Sequence, residues 1–356
     1  MKQRIKKLRS KLEKKELDAL LINNAQNRQY LTGFTGTAGV VLITKTTAQL
    51  ITDFRYTEQA EEEAVDYEII KQGDNKLETI NQLLKEEGIT KLGIEAEEIS
   101  YQQYLQYQDK LDVELVATTD LVKSLRKVKD ETEVDKISQA VKITDNAFEE
   151  IREQLEVGAI EREIALEIEF AQKKQGATKN AFDFIVASGK RGAMPHGVAS
   201  DKEIEAGDLV TMDFGCVYQG YHSDMTRTVI VGDDPTAKQE KIYNIVLEAQ
   251  ETAIEAIEPG KTGAEIDKVA RDIIEEAGYG ANFGHGLGHS VGLEIHENPR
   301  LSRKDETVLK PGMVVTVEPG IYIPDWGGIR IEDIVVVTDD GCQILTESPK
   351  ELLVLD

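Results

Sequence analysis

Cysteine is almost absent from this sequence: only Cys216 and Cys342 occur, far apart and outside any CxxC motif. A disulfide framework and a thiolate metal site are therefore excluded as organising features. No apolar run approaches the ~18–20 residues that a membrane span needs. The N-terminus is basic but lacks the apolar core of a signal peptide. We therefore expect a cytoplasmic protein with no membrane partner.

Positive charge is also scarce, since 42 Lys and Arg residues stand against 66 Asp and Glu residues, for a formal net charge of −24. Nucleic acids are bound largely through cationic side chains, so we expect no nucleic-acid partner. The Gly-rich stretch at 31–44 contains neither GxGxxG nor a P-loop pattern, which predicts no phosphate site there. All five histidines lie between residues 196 and 296. The chemistry is therefore expected in the second part of the chain.

The length of 356 residues predicts two domains. Strand and helix patterns alternate over the first third, which predicts an α/β domain with a mixed sheet. Near Lys123 the pattern changes to a charged segment that leads into a long helical stretch, ending near Glu156. We place the boundary at about residue 125, with an N-terminal domain of residues 1–124 and a catalytic domain of residues 125–356.

An acidic residue inside a β-rich run is the most informative feature of the second domain. Asp213 lies within Leu209–Phe214, where an acid packs poorly on a half-buried strand face. Strand alternation places Thr211 beside Asp213 on one face, and Asp224 beside Thr226 on one face of the next run. Taken alone, Asp213 is also compatible with a strand-end acid that caps a turn. Two buried carboxylates aimed at one point require a cation or a metal.

The same pattern recurs about a hundred residues later. Glu318 follows a glycine by six positions and precedes another by two, as Asp213 does, and Glu332 takes the place of Asp224. Similar glycine spacings occur upstream of each run, at the joint of two helical patterns. We interpret this as an internal duplication with pseudo-two-fold symmetry, in which two helices are followed by an acid-bearing hairpin in each half.

Four acids and a nearby histidine are the components of a dinuclear metal site. Asp213, Asp224, Glu318 and Glu332 supply four negative charges, which two divalent ions would balance. A water that bridges ions about 3.5–4 Å apart loses a proton near neutral pH and becomes a nucleophile. Carboxylate-rich ligation with one imidazole favours Mn²⁺ or Co²⁺, while the affinity order also lets Zn²⁺ compete.

Five sequence blocks occur in the order that a known family shows: MPHG at 194–197, DFG…SDMTRT at 213–228, HGLGH…HENP at 285–299, VEPGIY at 317–322 and GIRIED at 328–333. Together they resemble the Xaa-Pro-specific branch of the pita-bread metallopeptidases, the family of methionine aminopeptidase, aminopeptidase P and prolidase. The resemblance covers the whole chain. It implies a creatinase-like α/β N-terminal domain followed by an α+β pita-bread catalytic domain.

The resemblance also implies roles for residues at matching motif positions. Asp224 and Glu332 are expected to bind one ion each, with Asp213 and Glu318 as bridging partners, and Glu318 also resembles the general base of the family. The complete expected ligand set is Asp213, Asp224, His289, Glu318 and Glu332.

The remaining site residues implied by the resemblance act on the substrate. Three histidines, His196, His285 and His296, match residues that hold the substrate and stabilise the tetrahedral intermediate. Arg330 matches an arginine that steadies a ligand carboxylate or binds substrate. His222, beside Asp224, is interpreted as structural.

The implied activity is hydrolysis of the Xaa–Pro bond at the N-terminus of proline-containing peptides, by a metal-bridging hydroxide. The fixed φ and imide bond of proline exclude such peptides from ordinary peptidases. Aminopeptidase P and prolidase, which takes dipeptides only, share every block above. The LTGFTGTAG and TDFRYTEQA stretches resemble bacterial family members that are called aminopeptidase P, and this resemblance favours aminopeptidase P slightly.

Two rival functions are compatible with the same fold: a non-catalytic binding protein and a metal-free hydrolase of the creatinase type. Both are disfavoured because all five ligand positions are acidic or histidine. The family often dimerises through its N-terminal domain. We therefore expect a homodimer, and Phe54, Arg55 and Tyr56 are candidates to reach the site of a neighbouring subunit.

Overall fold

The computed structural model describes residues 1–355, which fall into two units, Met1–Arg126 and the chain from Lys127 onward. Each unit has its own sheets and helices. No helix within residues 1–355 is both long and apolar enough to cross a membrane.

The first unit is built on one mixed sheet. Its helices are α1 (Lys2–Lys14), α2 (Ala25–Thr32), α3 (Thr57–Glu63), α4 (Lys76–Glu86), α5 (Tyr101–Lys110) and α6 (Lys123–Arg126). Its strands are β1 (Ala19–Ile22), β2 (Val40–Thr44), β3 (Ala48–Thr52), β4 (Glu68–Lys71), β5 (Lys91–Glu95) and β6 (Glu114–Thr118). They lie in the order β4-β3-β2-β1-β5-β6, with β2 antiparallel to both β1 and β3 and the other pairs parallel. The expected α/β domain with a mixed sheet is confirmed.

The second unit contains four long helices and several small sheets. Its helices are α7 (Glu131–Ile151), α8 (Glu161–Lys174), α9 (Ala237–Glu255) and α10 (Gly263–Glu276), with short 3-10 turns at Arg152–Gln154, Gly189–Ala193 and Gly280–Asn282. Its strands are β7 (Lys179–Asn180), β8 (Ile185–Ser188), β9 (Asp208–Phe214), β10 (Cys216–Tyr218), β11 (Tyr221–His222), β12 (Met225–Val231), β13 (Gly288–Ser290), β14 (Glu297–Leu301), β15 (Val314–Val317), β16 (Gly320–Ile323), β17 (Gly327–Arg330), β18 (Asp333–Val337), β19 (Cys342–Ile344) and β20 (Val354–Leu355).

The long helical stretch predicted to follow the charged segment and to end near Glu156 is present as α7, Glu131–Ile151, followed by the 3-10 turn Arg152–Gln154. Helix α6 ends at Arg126, and α7 begins only at Glu131. The Asp130 side chain accepts a hydrogen bond from the Glu133 backbone N–H, while the Glu133 side chain accepts one from the Asp130 N–H. This capping box fixes the start of α7. The charged segment at 127–130 is therefore a connector rather than helix.

The predicted duplication is confirmed in the second unit. In the first half, α7 and α8 bury their apolar faces with the sheet β20-β12-β9-β8, and in the second half α9 and α10 do so with the sheet β14-β13-β15-β18-β19. Each half therefore has its own hydrophobic cluster, and each contains an antiparallel strand pair, β9 with β12 and β15 with β18.

Neither acid-bearing strand pair is a simple hairpin. After β9 the chain leaves the sheet at Gly215, where a Cβ atom would lie only 2.0 Å from the Ser223 backbone oxygen. Residues 216–222 then form a separate ribbon of β10 and β11 before β12 begins. In the second half, β16 and β17 form the equivalent ribbon between β15 and β18. The four acids lie where the paired strands part and these ribbons begin.

Candidate metal centre and active site

The two strand pairs meet along β12. Asp213 lies opposite Thr226 in the antiparallel register of β9 and β12. The Glu332 backbone N–H donates to the Thr226 carbonyl oxygen at 3.1 Å, and the Thr226 hydroxyl donates to Glu332 Oε2 at 2.7 Å. Because one threonine contacts Glu332 and lies opposite Asp213, acids that are distant in sequence are brought together.

Two further threonines join the halves. Thr211 Oγ1 donates to the Gly328 carbonyl oxygen at 3.1 Å, and Thr228 Oγ1 donates to the Arg330 carbonyl oxygen at 2.9 Å. Strand alternation places these hydroxyls on the same face as Asp213 and Asp224. That face of the first half is therefore the seam against which the second half packs.

His289 lies on β13 and points its imidazole at the acids. Its Nε2 atom is 3.3 Å from Glu318 Oε1 and 3.5 Å from Asp224 Oδ2. Nδ1 lies 3.2 Å from the Ser290 carbonyl oxygen, so we assign the proton to Nδ1, which leaves the Nε2 lone pair facing the carboxylates. Burial, with a smaller contribution from His296, lowers the His289 pKa to about 3. The imidazole is therefore neutral, as a metal ligand must be.

One ligand group is compact. Single ligand atoms of Asp224, His289 and Glu332 lie within 4.8 Å of one another, and all three residues are buried. The resemblance placed Asp224 and Glu332 on separate ions. Both acids stand just ahead of strands that lie next to each other across the seam, and both lie beside His289. The division of the ligands between two ions stays a prediction.

The electrostatics of the acids fit divalent cations. Asp213 Oδ1 and Glu332 Oε1 are buried and have no hydrogen-bond partner among residues 1–355. Arg330 donates from Nη2 to Asp213 Oδ2 at 2.5 Å, but one guanidinium balances only one of four carboxylates. Oxygen-rich donors with one imidazole are a ligand set that divalent first-row metals accept.

Burial raises the pKa of every carboxylate in this cluster. The pKa of Glu318 rises to about 7. The pKa values of Asp224 and Glu332 lie well above the ordinary range, chiefly through burial and then through neighbouring carboxylates. The pKa of Asp213 is raised less, because Arg330 opposes the effect of burial. Without bound cations, each of these carboxyl groups either keeps its proton or repels the neighbouring carboxylates. Bound metal ions would favour the ionised form of all four.

All nine predicted site residues line one cavity of about 1000 Å³. They are His196, Asp213, Asp224, His285, His289, His296, Glu318, Arg330 and Glu332. The His289 and His296 rings approach to 4.4 Å between centroids. His222 is not part of this lining; its Nδ1 atom lies 3.0 Å from the Gly292 carbonyl oxygen. The individual roles of the nine residues stay predictions, but their convergence on one cavity is observed.

Tyr322 is a cavity residue that the sequence patterns did not identify. Its hydroxyl accepts a hydrogen bond from Arg330 Nη1 at 2.8 Å and lies 3.0 Å from His285 Nε2. Burial lowers the pKa of His285 to about 4, so its Nε2 is free to accept from the tyrosine. In the sequence, strand alternation is the feature that points to Tyr322, because it lies two residues after Gly320 and therefore on the same face of β16.

Comparison with known proteins identifies the family. Residues 135–339, more than half of the chain, match metallopeptidase family M24, and residues 4–128 match the creatinase/prolidase N-terminal domain. This chain belongs to metallopeptidase family M24. The expected metal-dependent peptidase with a pita-bread catalytic fold is thereby confirmed, and the family implies divalent metal ions at the site.

Similar proteins of known structure or activity cover nearly the whole chain. A Xaa-Pro dipeptidase from Bacillus anthracis is 50% identical, with a TM-score of 0.98 over 99% of both chains. An X-Pro aminopeptidase from Thermotoga maritima is 42% identical, with a TM-score of 0.91, and the match covers 96% of this chain and 98% of that one. The Xaa-Pro dipeptidase of Pyrococcus horikoshii is 44% identical over 356 residues, 99% of each chain.

Proposed function

We propose that this protein is a Xaa-Pro dipeptidase, which hydrolyses the bond between a first residue and a following proline. The observation that carries the proposal is the convergence of His289 and four carboxylates, two of them buried and two partly buried, on one cavity. Two of the three similar proteins described above are dipeptidases by name. Their similarity favours prolidase over aminopeptidase P, the reverse of the preference drawn from the sequence motifs.

The proposed cofactor is a pair of divalent ions, with Mn²⁺ or Co²⁺ favoured and Zn²⁺ able to compete. His289, whose Nε2 atom is 3.3 Å from Glu318 and 3.5 Å from Asp224, would bind one ion together with these two acids and Glu332. Asp213, whose Oδ1 atom has no hydrogen-bond partner among residues 1–355, would contribute to the other ion. When bound, the ions activate a water molecule and polarise the substrate carbonyl.

The protein side chains supply the remaining chemistry. Glu318 is the proposed general base: it takes a proton from the attacking water and delivers it to the proline nitrogen as the C–N bond breaks. Arg330 holds Asp213 and the Tyr322 hydroxyl in place. The three cavity histidines, His196, His285 and His296, would orient the substrate and stabilise the tetrahedral intermediate.

Arg300 offers a physical basis for a preference for dipeptides. It lies on β14 and is one of the residues that line the cavity. The field of Arg300 contributes to lowering the His296 pKa, after the larger effect of burial. A dipeptide carries its negative carboxylate directly on the proline, whereas a longer peptide carries it farther away. We propose that Arg300 receives this carboxylate, so that dipeptides bind best.

The test compares kcat/KM for a Xaa-Pro dipeptide, the same dipeptide with an amidated C-terminus, and a Xaa-Pro-Xaa tripeptide. Loss of a charge-assisted contact costs ~1.5–3 kcal/mol, so Arg300→Met should lower kcat/KM for the dipeptide about 10–100-fold and change that for the amide little. Arg303→Met, an exposed arginine nearby, is the matched control. Equal turnover of tripeptide and dipeptide by the unmodified protein would instead support aminopeptidase P, the second candidate.

The remaining proposals concern the whole protein. We propose that residues 1–124 and 125–356 are separate functional domains, with the chemistry in the second. We also propose a cytoplasmic homodimer, supported by the 72% exposure of Phe54 in the first unit. Light scattering of the purified protein tests the dimer: a monomeric mass at micromolar concentration would contradict it.

A further inference from the structure

Lys129 is a buried lysine in the connector between α6 and α7, with only 4% of its surface exposed. Its backbone N–H donates to the Gly312 carbonyl oxygen at 2.8 Å, in the turn that leads into β15. The next residue, Asp130, caps α7. A lysine is almost never this buried unless it is paired, and its backbone is fixed on both sides, so the position of its ammonium group is well defined.

The Lys129 ammonium contacts two residues of the second half of the unit. Nζ donates to Ser290 Oγ at 2.7 Å and forms an ion pair with Glu297 Oε2 at 3.4 Å. Each partner immediately follows a cavity histidine in sequence: Ser290 follows His289, and Glu297 follows His296. One cation therefore contacts the residue next to each of two rings that pack against each other.

Both contacts reach the histidines through the backbone. The Ser290 carbonyl oxygen lies 3.2 Å from His289 Nδ1, so the position of Ser290 sets the direction of the imidazole. The pairing of β13 with β14 shifts register between His289 and Ser290, while on its other side β13 pairs with β15 at Ser290. Glu297 Oε1 accepts from the Glu294 N–H at 3.2 Å and closes the loop that carries His296.

We propose that Lys129 is a positioning residue for the metal centre: through Ser290 and Glu297 it holds His289 and His296 in the orientation that metal and substrate require. The inference rests on the proposed metal-dependent function, since it assigns His289 as a ligand. It also gives a role to the charged connector at 127–130, which the peptidase chemistry itself does not use.

The test measures metal binding without any substrate. Metal-free protein is titrated with Co²⁺, followed by calorimetry and by visible absorption, which reports the ligand geometry of the ion. Residues that orient metal ligands typically contribute 10–100-fold in affinity, so Lys129→Met should weaken binding of the tightest ion by about that factor and alter the absorption spectrum. Arg28→Met is the control, because Arg28 is equally buried, at 4% exposure, but donates to Gly36 and Gly39 in the first unit.

Lys129→Met leaves Glu297 buried without its cation. If this variant fails to fold for that reason, two further variants test the proposal. Lys129→Met combined with Glu297→Gln removes both charges, and Ser290→Ala removes only the hydroxyl that Lys129 contacts. Both should weaken Co²⁺ binding by about tenfold or more. Folded variants with the Co²⁺ affinity and spectrum of the unmodified protein would overturn the role of Lys129. Absence of Co²⁺ binding by the unmodified protein would instead overturn the proposed function.

Discussion

At the scale of single residues, replacing Glu332 is expected to have opposite effects on the stability of the metal-free protein and on its peptidase activity. Glu332 is 1% exposed, its Oε1 atom has no hydrogen-bond partner in the part of the chain that the structure describes, and burial raises its pKa well above the ordinary range. Glu332→Gln removes the buried charge while keeping an oxygen that can accept from Thr226. We expect the metal-free variant to be more stable at pH 8, by on the order of 1 kcal/mol, because a buried polar atom without a partner costs ~1–3 kcal/mol and more when it is charged. With metal, its peptidase activity should fall about a hundredfold or more, beyond the effect typical of residues that only orient ligands.

Urea unfolding of EDTA-treated proteins and peptide hydrolysis with added Mn²⁺ measure these two effects separately. Asn180→Ala, which removes a half-buried polar side chain on β7 outside the cavity lining, is the control for activity. If Glu332→Gln changed neither the stability of the metal-free protein nor the peptidase activity, the assignment of Glu332 as a ligand would be wrong.

Glu318 makes the stability of the metal-free protein depend on pH. Its pKa is about 7 in the folded chain, against an ordinary value of 4.5. Because the folded state holds the proton more tightly, the stabilisation is complete below about pH 4.5 and is lost as the pH rises through 7. The loss should be on the order of 2–3 kcal/mol. Denaturant unfolding of EDTA-treated protein between pH 4.5 and 8 measures it, and the loss should be smaller in Glu318→Gln; a loss of equal size in the two proteins would contradict the prediction.

At the scale of helices and strands, residue periodicity predicted the elements whose structure depends on neighbouring residues in the sequence. Helical spacing identified α4 and α9, and alternation correctly placed Asp213 and Thr211 on one face of β9. Short helices such as α2 escaped, because eight residues with a weak apolar stripe give no clear period. The contacts of Tyr322 and Lys129 were not predicted for another reason. They depend on how segments distant in sequence pack together, and local periodicity contains no information on that packing.

Residues 188–200, the segment that carries His196, are hydrogen-bonded at both ends to the same acid, Glu161. Glu161, in the first turn of α8, is fully buried. It accepts from the Ser188 N–H and hydroxyl at 2.8 Å each, accepts from the Ser200 hydroxyl at 2.7 Å, and pairs with Arg191. Because Ser188 and Ser200 bracket the segment, loss of the Glu161 charge should release it. We expect Glu161→Gln to raise the KM and to speed tryptic cleavage after Arg191 about tenfold, since charge-assisted bonds contribute ~1.5–3 kcal/mol.

Limited trypsin digestion with mass spectrometry measures this release. Glu163→Gln, on the exposed face of the same helical turn, is the matched control and should leave cleavage unchanged. Equal cleavage rates for the two variants would show that the segment is held by its own packing and not by Glu161.

At the scale of the whole molecule, the duplication explains why the metal centre and the fold are linked. Each half supplies two acids at the ends of its central strands, and the threonine seam brings the two pairs together. The four acids give this seam an excess of negative charge, and the chain as a whole has a net charge of −24. Divalent ions that bind the folded state but not the unfolded chain should therefore stabilise both halves of the second unit at once.

Hydrogen exchange shows where that stabilisation lies. At Mn²⁺ concentrations about a hundred times the dissociation constant, binding contributes ~2.7 kcal/mol, so amides in β9, β12, β15 and β18 should exchange about a hundredfold more slowly. Amides of the first unit, Met1–Arg126, hold none of the proposed ligands and should change little. Glu332→Gln is the control and should show little slowing anywhere. Slowing confined to one half of the second unit would mean that the ions do not join the two halves, and the shared centre proposed here would be wrong.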